Sequence, residues 1–312
     1  MLKARSMAEA SLLTGLSVVL YLAASFIPLV GFFLVFLSPI PLVILEMRHD
    51  LKTGIVALTV GTVLTMLITG PIPAISYALG FGILALALGR IIELRRSAIE
   101  ILICGSIVSL ICKLMLAVLL YAVTGLNPFA LDVEGMNKIM DWALSLNGSN
   151  AEAIKAQFET AITVIPLLVP TILIMTAVCD SFLCYWLSRK VVERVEHVAL
   201  PALPPFNCWR FPTSCLGAYI AGMICSLLAA KYPQYGIFAR VGLNVSLIVS
   251  YIFMIQGFSL CAWVLDRKGF DKRLRSVLLV IAFFIPILTQ IALYIGIVDM
   301  CWNTRKRVEQ RR

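Results

Sequence analysis

The sequence has little charge and only two histidines in 312 residues. Charged residues make up 14% of the chain and hydrophobic residues 61%, with a mean hydropathy of +0.96. Soluble domains are about a quarter charged and about half apolar. The scarcity of charge therefore excludes an ordinary soluble enzyme, a disordered chain and a fibrous protein. It predicts an all-α, polytopic integral membrane bundle of about eight or nine transmembrane segments.

The sequence also lacks the short motifs of common catalytic sites. It contains no G-x-x-x-x-G-K-[ST], H-E-x-x-H or G-x-S-x-G pattern, which excludes a P-loop and argues against zinc peptidase or serine hydrolase chemistry. The nine cysteines form no C-x-x-C pair and lie mostly in apolar runs, which favours small buried side chains over disulfides or zinc ligands. We expect no catalytic residues, no cofactor and no metal site, and we expect that the protein is not an enzyme.

The basic residues indicate membrane orientation. Lys and Arg exceed Asp and Glu by 26 − 17 = 9, and they fall in short clusters between apolar blocks. This is the positive-inside pattern, so nucleic acid is disfavoured and membrane lipids are the expected partners. Lys3 and Arg5 precede an uncharged run, Ala10 to Leu45, which is long enough for two spans, and the first of these is predicted to be an uncleaved span. We predict cytoplasmic N- and C-termini.

Charges and prolines divide the chain into three parts. Residues 1–190 are predicted to hold six spans, residues 191–213 a proline-rich cytoplasmic connector, and residues 214–312 further membrane helices and a basic tail. The last apolar run contains Pro286, and a ninth span would place the basic tail outside. The sequence leaves three solutions open: a hairpin bent at Pro286, an earlier segment that does not span, or a local failure of the charge rule.

The longest polar stretch, residues 125–160, is predicted to lie outside the cell. It carries five acidic residues and two lysines, the opposite balance to the other loops. Apolar residues at helical spacing within it, among them Met136 and Met140, predict an amphipathic helix at the membrane surface. Together with Trp142 these methionines are candidates for a lid.

Two charges lie inside predicted spans: Lys113 in span five and Asp180 in span six. A charge at membrane depth costs about 2.5–3.5 kcal/mol on insertion scales, so it normally faces protein or a cavity. Their predicted depths differ by roughly 5 Å, which a lysine side chain can bridge. Either they contact an anionic substrate or carry a proton, or they form a structural ion pair. Asp180 reaching its own interface is a further alternative.

A Pro-Ile-Pro unit occurs twice, at Pro39–Pro41 and at Pro71–Pro73. Proline removes a backbone donor and frees a carbonyl group, and broken helices of this kind often line transporter sites. We therefore include Pro39 and Pro41 among the candidate substrate-binding residues, with a simple bend as the alternative. The second unit follows Gly70 and is predicted to be a turn between spans three and four.

Two blocks of the sequence resemble the YybS-like family of bacterial membrane proteins, which carry a domain of unknown function. The first block is Leu203-Pro204-Pro205-Phe206 with Trp209-Arg210-Phe211-Pro212. The second comprises Gln256-Gly257-Phe258-Ser259, Asp266-Arg267-Lys268-Gly269 and Gly296 to Trp302. The resemblance extends over essentially the whole chain and implies a multi-pass protein of the bacterial cell membrane. It supplies no catalytic residues.

The first six spans also resemble the S components of energy-coupling-factor transporters. The shared features are a first helix rich in small residues, a short second helix with prolines, the segment Arg48–Gly54 opening the third helix, and Gly70-Pro71 before the fourth. This resemblance implies binding and transport of a small solute, with a coupling subunit and ATPases as partners. The alternative is a non-transporting membrane scaffold or assembly factor of the cell envelope, which the additional C-terminal spans favour.

Overall fold

The computed structural model describes residues 2–27, 31–94, 96–130, 135–138, 140, 155, 158, 160, 162–232 and 234–305. Within those residues the ordered elements are helices, and there is no strand. Seven helical stretches are long and apolar enough to cross a membrane, and a bent helix pair raises the number to as many as eight. This confirms the predicted all-α membrane bundle at the lower end of the predicted number of spans. The seven stretches are Ser6–Phe26, Leu51–Thr69, Pro71–Glu93, Ala98–Thr124, Ile162–Val195, Ser214–Lys231 and Gly236–Arg267.

The chain forms two compact units. The first comprises Met1–Leu131 with Ile172–Leu203, and the second comprises Asp132–Thr171 with Pro204–Arg312. The helices of the first unit are α1 (Leu2–Phe26), α2 (Gly31–Leu37), α3 (Ile40–Arg48), α4 (Leu51–Thr69), α5 (Pro71–Tyr77), α6 (Ile83–Glu93), α7 (Ala98–Thr124) and α8 (Val169–Val195), the last from Ile172 onward. A π-helical segment, Ala78–Gly82, joins α5 to α6.

Local sequence signals set the helix ends in the first unit. Asp50 caps α4 by accepting a hydrogen bond from the Thr53 amide at 3.3 Å, and Ser97 forms a capping box with Glu100 at the start of α7. Helix α4 ends at Gly70 and α7 ends before Gly125, both with positive φ, at 94° and 68°. Gly70 therefore separates two helices as predicted, whereas the Pro71–Pro73 unit, which was predicted to be a turn, forms the first turn of α5.

The core of the first unit forms around α3. Seven consecutive residues of this short helix, from Ile40 to Glu46, are buried, and six residues of α6 are buried as well. A helix that is apolar all round needs protein on every side, which is how α3 is placed. Pro39 and Pro41 stand at its start, where a missing amide hydrogen costs no helical bond. The predicted second span is thus divided into two short helices, α2 and α3.

The second unit contains α9 (Ser214–Lys231), α10 (Gly236–Arg267), α11 (Lys272–Phe284) and α12 (Pro286–Trp302). Its apolar core includes Val249, Phe253 and Met300. Helices α10 and α12 touch backbone to backbone, because a Cβ atom on Gly257 would overlap the carbonyl oxygen of Ala292 and one on Gly296 would overlap that of Phe253. Close helix contacts of this kind are typical of membrane bundles.

The last apolar run is bent at Pro286. Helices α11 and α12 meet at an angle of 106°, with Ile285 in extended conformation between them. Proline at the first position of α12 removes the donor that would continue α11, so one helix ends where the next begins. Of the three solutions left open by the sequence, the bend at Pro286 is present in the fold.

Candidate functional site

Lys113 and Asp180 form an ion pair between α7 and α8. The Lys113 Nζ atom lies 2.6 Å from Asp180 Oδ2, and the two side chains are 22% and 11% exposed. Lys113 is 15 residues from the start of α7 and 11 from its end, so the pair lies about 16–22 Å from either end of that helix. The two charges predicted to lie in spans five and six are thus brought together, far from the helix ends.

A serine completes the surroundings of the Asp180 carboxylate. Ser109, one turn before Lys113 on α7, donates from Oγ to Asp180 Oδ2 over 3.4 Å. Gly105, one further turn back, lies so close to Ser181 that a Cβ atom there would overlap the Ser181 Oγ atom. The same Cβ atom would also stand 2.9 Å from Leu88 of α6. Ser181 in turn donates to the Leu102 carbonyl oxygen at 3.1 Å. One face of α7 therefore carries a short polar stripe facing α8.

This polar stripe can bind an anionic group. A lysine ammonium has three donors, and the contact with Asp180 uses one of them. An anionic group brought to the pair would find a positive charge with free donor capacity in a region of low dielectric constant, where such contacts are strong. No group of three His, Cys, Asp or Glu side chains in the described part of the chain could hold a metal ion.

Ser38, the residue before Pro39, belongs to a polar cluster separate from the Lys113–Asp180 pair. The carbonyl oxygen of Ser38 accepts a hydrogen bond from Ser17 Oγ at 2.7 Å, and the Tyr77 hydroxyl is 2.9 Å from the same Ser17 oxygen. Because the single Ser17 proton is used on Ser38, Tyr77 is the donor in the second contact. Tyr21 donates to the carbonyl oxygen of Pro73 at 3.0 Å. The carbonyl oxygen of Ser38, just before Pro39, is thus hydrogen-bonded within the protein, and Tyr77 contacts it through Ser17. The second Pro-Ile-Pro unit is hydrogen-bonded directly to Tyr21.

The proposed lid residues belong to the second unit. Met136 lies in a described helical stretch, residues 135–138, and Met140 is buried. Trp142 lies outside the described residues. The ion pair belongs to the first unit, and the lid stays a prediction.

Glu46 is the buried acid that sequence reasoning missed. Its side chain is fully buried at the end of α3, and neither carboxylate oxygen has a hydrogen-bond partner among the described residues. It packs against Gly54 of α4 and Gly89 of α6, where a Cβ atom at Gly89 would lie 2.7 Å from the Glu46 Cβ. Burial raises the pKa of the Glu46 carboxyl from 4.5 to about 7, and the Arg90 charge opposes this shift. Glu46 therefore holds its proton up to neutral pH.

A second buried polar network lies in the second unit. Gln256 Nε2 donates to Asp299 Oδ2 at 2.6 Å, and Gln256 Oε1 accepts from the Phe211 amide at 3.1 Å. Arg305, only 1% exposed, donates to Ser259 Oγ at 2.9 Å. Both blocks that carry the YybS-like resemblance contribute to this network, since Phe211 belongs to the first block and Gln256, Ser259 and Asp299 to the second.

Asn244 ties the first turn of α8 and the segment just before it to α10 within the same unit. Its side-chain oxygen accepts from the Thr171 amide at 2.9 Å and from the Thr171 hydroxyl at 2.6 Å. Its amide nitrogen donates to the carbonyl oxygens of Leu167 and Arg240 at 2.7 and 2.6 Å. All four hydrogen bonds available to this buried amide are made, as a polar group in a membrane protein requires.

Comparison with known proteins extends over nearly the whole chain. The family described as "Predicted membrane protein (DUF2232)" matches residues 15–300. A Bacillus subtilis (strain 168) protein described as "Uncharacterized protein YybS" is 24% identical over 324 aligned residues, which cover 99% of this chain and 100% of the relative. No solved structure matches the chain. The resemblance to S components stays a prediction. Since this match covers residues 15–300, and with them most of the apolar helices, the chain belongs to the DUF2232 family of multi-pass membrane proteins.

Proposed function

We propose that the protein binds a small solute in its first unit and transports it across the bacterial cell membrane. The observation that carries the proposal is the Lys113–Asp180 ion pair, 2.6 Å long and deep within the apolar helices α7 and α8. Ionisable residues at this depth are costly, and in membrane proteins they usually belong to substrate or ion pathways. The proposal contains no catalytic step.

The ion pair favours a solute with an anionic group. Such a group would approach Lys113, take part of its hydrogen-bonding capacity and weaken its contact with Asp180. Asp180 keeps the Ser109 hydroxyl as a donor during this exchange. The carboxylate would therefore stay partly compensated, or would take up a proton together with the solute. In the first case the pair serves only as an anion contact, and in the second it couples solute binding to a proton.

Partners of the kind used by S components are part of the proposal. A groove of about 450 Å³ runs between α1 and α4 and is lined by small residues of α1, among them Ser6, Ala10 and Thr14. Small residues let another helix approach closely, which supports this face as the contact for a coupling subunit with its ATPases. With positive-inside charges, the N- and C-termini would lie in the cytoplasm.

The test compares small molecules that accompany the purified protein. Full-length protein is isolated from its native membrane in mild detergent, and mass spectrometry identifies solutes released on denaturation. We expect a solute in near-stoichiometric amount with the wild type and at least tenfold less with Lys113→Met. Lys190→Met, which changes an exposed lysine on α8, serves as the matched control and should retain the solute.

A charge exchange separates binding from folding. Lys113→Asp combined with Asp180→Lys keeps an ion pair, so the double variant should recover the thermal stability lost by either single variant. The double variant should not recover solute binding, because its cation is then on α8 and no longer at the position on α7 that is proposed to contact the anionic group. Unchanged solute content in Lys113→Met, or no solute above the level of an unrelated membrane protein, would contradict the proposal.

A second candidate function is a scaffold or assembly factor of the cell envelope. The separate core of the second unit and its Arg305 network favour it, since binding of a solute in the first unit requires neither. Deleting residues 306–312 while leaving the buried Arg305 in place tests this reading. Loss of co-purifying envelope proteins, with stability unchanged, would support the scaffold, and unchanged recovery would count against a tail-dependent one.

A further inference from the structure

Helix α11 has no buried residue and lies at the surface of the second unit. None of its 13 residues is buried, although nine of them, from Ser276 to Phe284, carry no charge. Between α10 and α11 lies an open, almost entirely apolar groove of about 570 Å³. Phe206, Met254 and Phe258 form one wall, and Leu279, Val280 and Phe283 form the other.

The groove runs along a single face of α11. Ser276, Leu279, Val280 and Phe283 are spaced as i, i+3, i+4 and i+7, so they line one stripe of the helix. Lys272 and Arg273 precede Ser276 by four and three residues and therefore continue the same stripe toward the start of the helix. The apolar groove thus has two cations at its mouth.

The mouth of the groove carries a net positive charge. Asp266 is already paired with Arg275 and accepts from Asn207 Nδ2 at 2.9 Å, and Asp271 caps α11 by accepting from the Arg273 amide at 3.0 Å. Beyond the Asp266–Arg275 pair, four exposed cations face one exposed carboxylate, which leaves a net charge of +3: Arg267, Lys268, Lys272 and Arg273 against Asp271. Arg267 lies 4.9 Å from the centre of the Trp263 ring, an aromatic residue typical of the headgroup level.

We propose that this groove is a binding site for an anionic phospholipid of the surrounding bilayer. One acyl chain lies in the groove between α10 and α11, and the phosphate contacts Lys272 and Arg273 at its mouth. The volume is in the range of sites that hold a small ligand, which suits a single acyl chain. Basic groups beside an apolar groove between membrane helices recognise acidic headgroups, whereas a zwitterionic headgroup gains little from them.

Native mass spectrometry of the full-length protein tests the proposal. The delipidated protein in mild detergent is titrated with dioleoyl phosphatidylglycerol and, separately, with dioleoyl phosphatidylcholine. We expect a first phosphatidylglycerol to bind more tightly than phosphatidylcholine. Lys272→Gln combined with Arg273→Gln should weaken that first binding about 30-fold, since each basic residue near a headgroup contributes a factor of about five.

Two matched variants separate this site from general surface charge. Lys231→Gln combined with Arg240→Gln removes the same charge near the other end of α10 and should leave the first binding unchanged. Val280→Trp fills the groove without changing any charge and should weaken binding of phosphatidylglycerol at least tenfold. If Val280→Trp does not give a monodisperse protein, Ser276→Phe obstructs the groove at its mouth instead.

Three results would overturn the inference. Equal affinity for the two lipids would show that the headgroup is not recognised. Equal weakening by the two double variants would reduce the effect to unspecific electrostatics. Full binding in the groove-filling variant would place the lipid elsewhere. None of these results bears on solute binding by the first unit, so this inference and the proposed transport function fail independently.

Discussion

The guanidinium of Arg305 donates a hydrogen bond of 2.7 Å to the backbone carbonyl of Asn207, which lies 98 residues earlier in the chain. Ser259 Oγ, which accepts from the same guanidinium, lies 2.7 and 2.9 Å from the carbonyl oxygens of Phe206 and Trp209. A buried arginine from the end of the chain thus fixes the proline-rich connector to α10. These contacts hold residues 206–209 of the connector against α10.

Replacement of Arg305 by methionine should destabilise the second unit. The change removes the two donated hydrogen bonds and leaves the buried Asp299 without its nearby cation. Breaking a buried pair in this way costs about 3–5 kcal/mol. Chemical unfolding in mixed micelles measures the loss, with Arg210→Met as the control, because Arg210 is exposed and its replacement should change stability by about 0.5 kcal/mol or less. Equal stabilities of the two variants would show that Arg305 is not held as described.

Glu46 should make stability depend on pH below neutrality. Its pKa is about 7 when folded and near 4.5 when unfolded, so the folded state binds the proton more tightly between these values. The free energy of unfolding should therefore fall as pH rises from 4.5 to 7 and level off above 7, by about 3 kcal/mol in total. Glu46→Gln carries no charge at any pH and should abolish this slope.

The comparison is made from pH 5 to pH 8.5 in one detergent. Above pH 7 the Glu46→Gln variant should be more stable than the wild type, and the difference should shrink toward pH 5. Glu193→Gln removes a partly exposed carboxylate that pairs with Arg189 and should leave the wild-type slope in place. A wild-type slope in the Glu46→Gln variant would assign the pH dependence to another group.

Cysteine labelling tests the orientation proposed for the connector. Cys208 is exposed, and a variant that retains it as the single cysteine should react with a membrane-impermeant maleimide only after the cells are permeabilised. With α2 and α3 counted together as one crossing, Asn127 follows five crossings from a cytoplasmic N-terminus, so Asn127→Cys in a cysteine-free background should react in intact cells. Among the described residues, one spanning helix, Ile162–Val195, lies between Asn127 and Cys208. Labelling of both positions from the same side would contradict the single crossing.

Much of the fold could be predicted from the sequence, because transmembrane helices are recognisable as long uncharged, apolar segments. The break between α4 and α5 at Gly70 followed from the placement of glycine and proline in the sequence. The contact between Lys113 and Asp180 was one of the alternatives, since two lone charges at similar depth have few other partners.

The buried position of Glu46 could not be predicted in the same way. It stands two residues before Arg48, so in sequence it looks like part of a solvated charged cluster. Its burial depends on Gly54 and Gly89, whose missing side chains leave space for the carboxyl. Arg305 was similarly assigned to the basic tail, because its carbonyl and hydroxyl partners lie 98 and 46 residues away in the sequence. Burial of single charged residues is a property of tertiary contacts that periodicity does not encode.

The contact of Gly257 with Ala292 and of Gly296 with Phe253 has a consequence for how this family can diverge. Each glycine lies against the backbone of the other helix, which cannot turn aside as a flexible side chain would. A methyl group at either position must push α10 and α12 apart and disturb the seating of Asp299 and Arg305. Relatives that keep the arginine network are therefore expected to keep both glycines, and those that lose one glycine are expected to have lost the network with it.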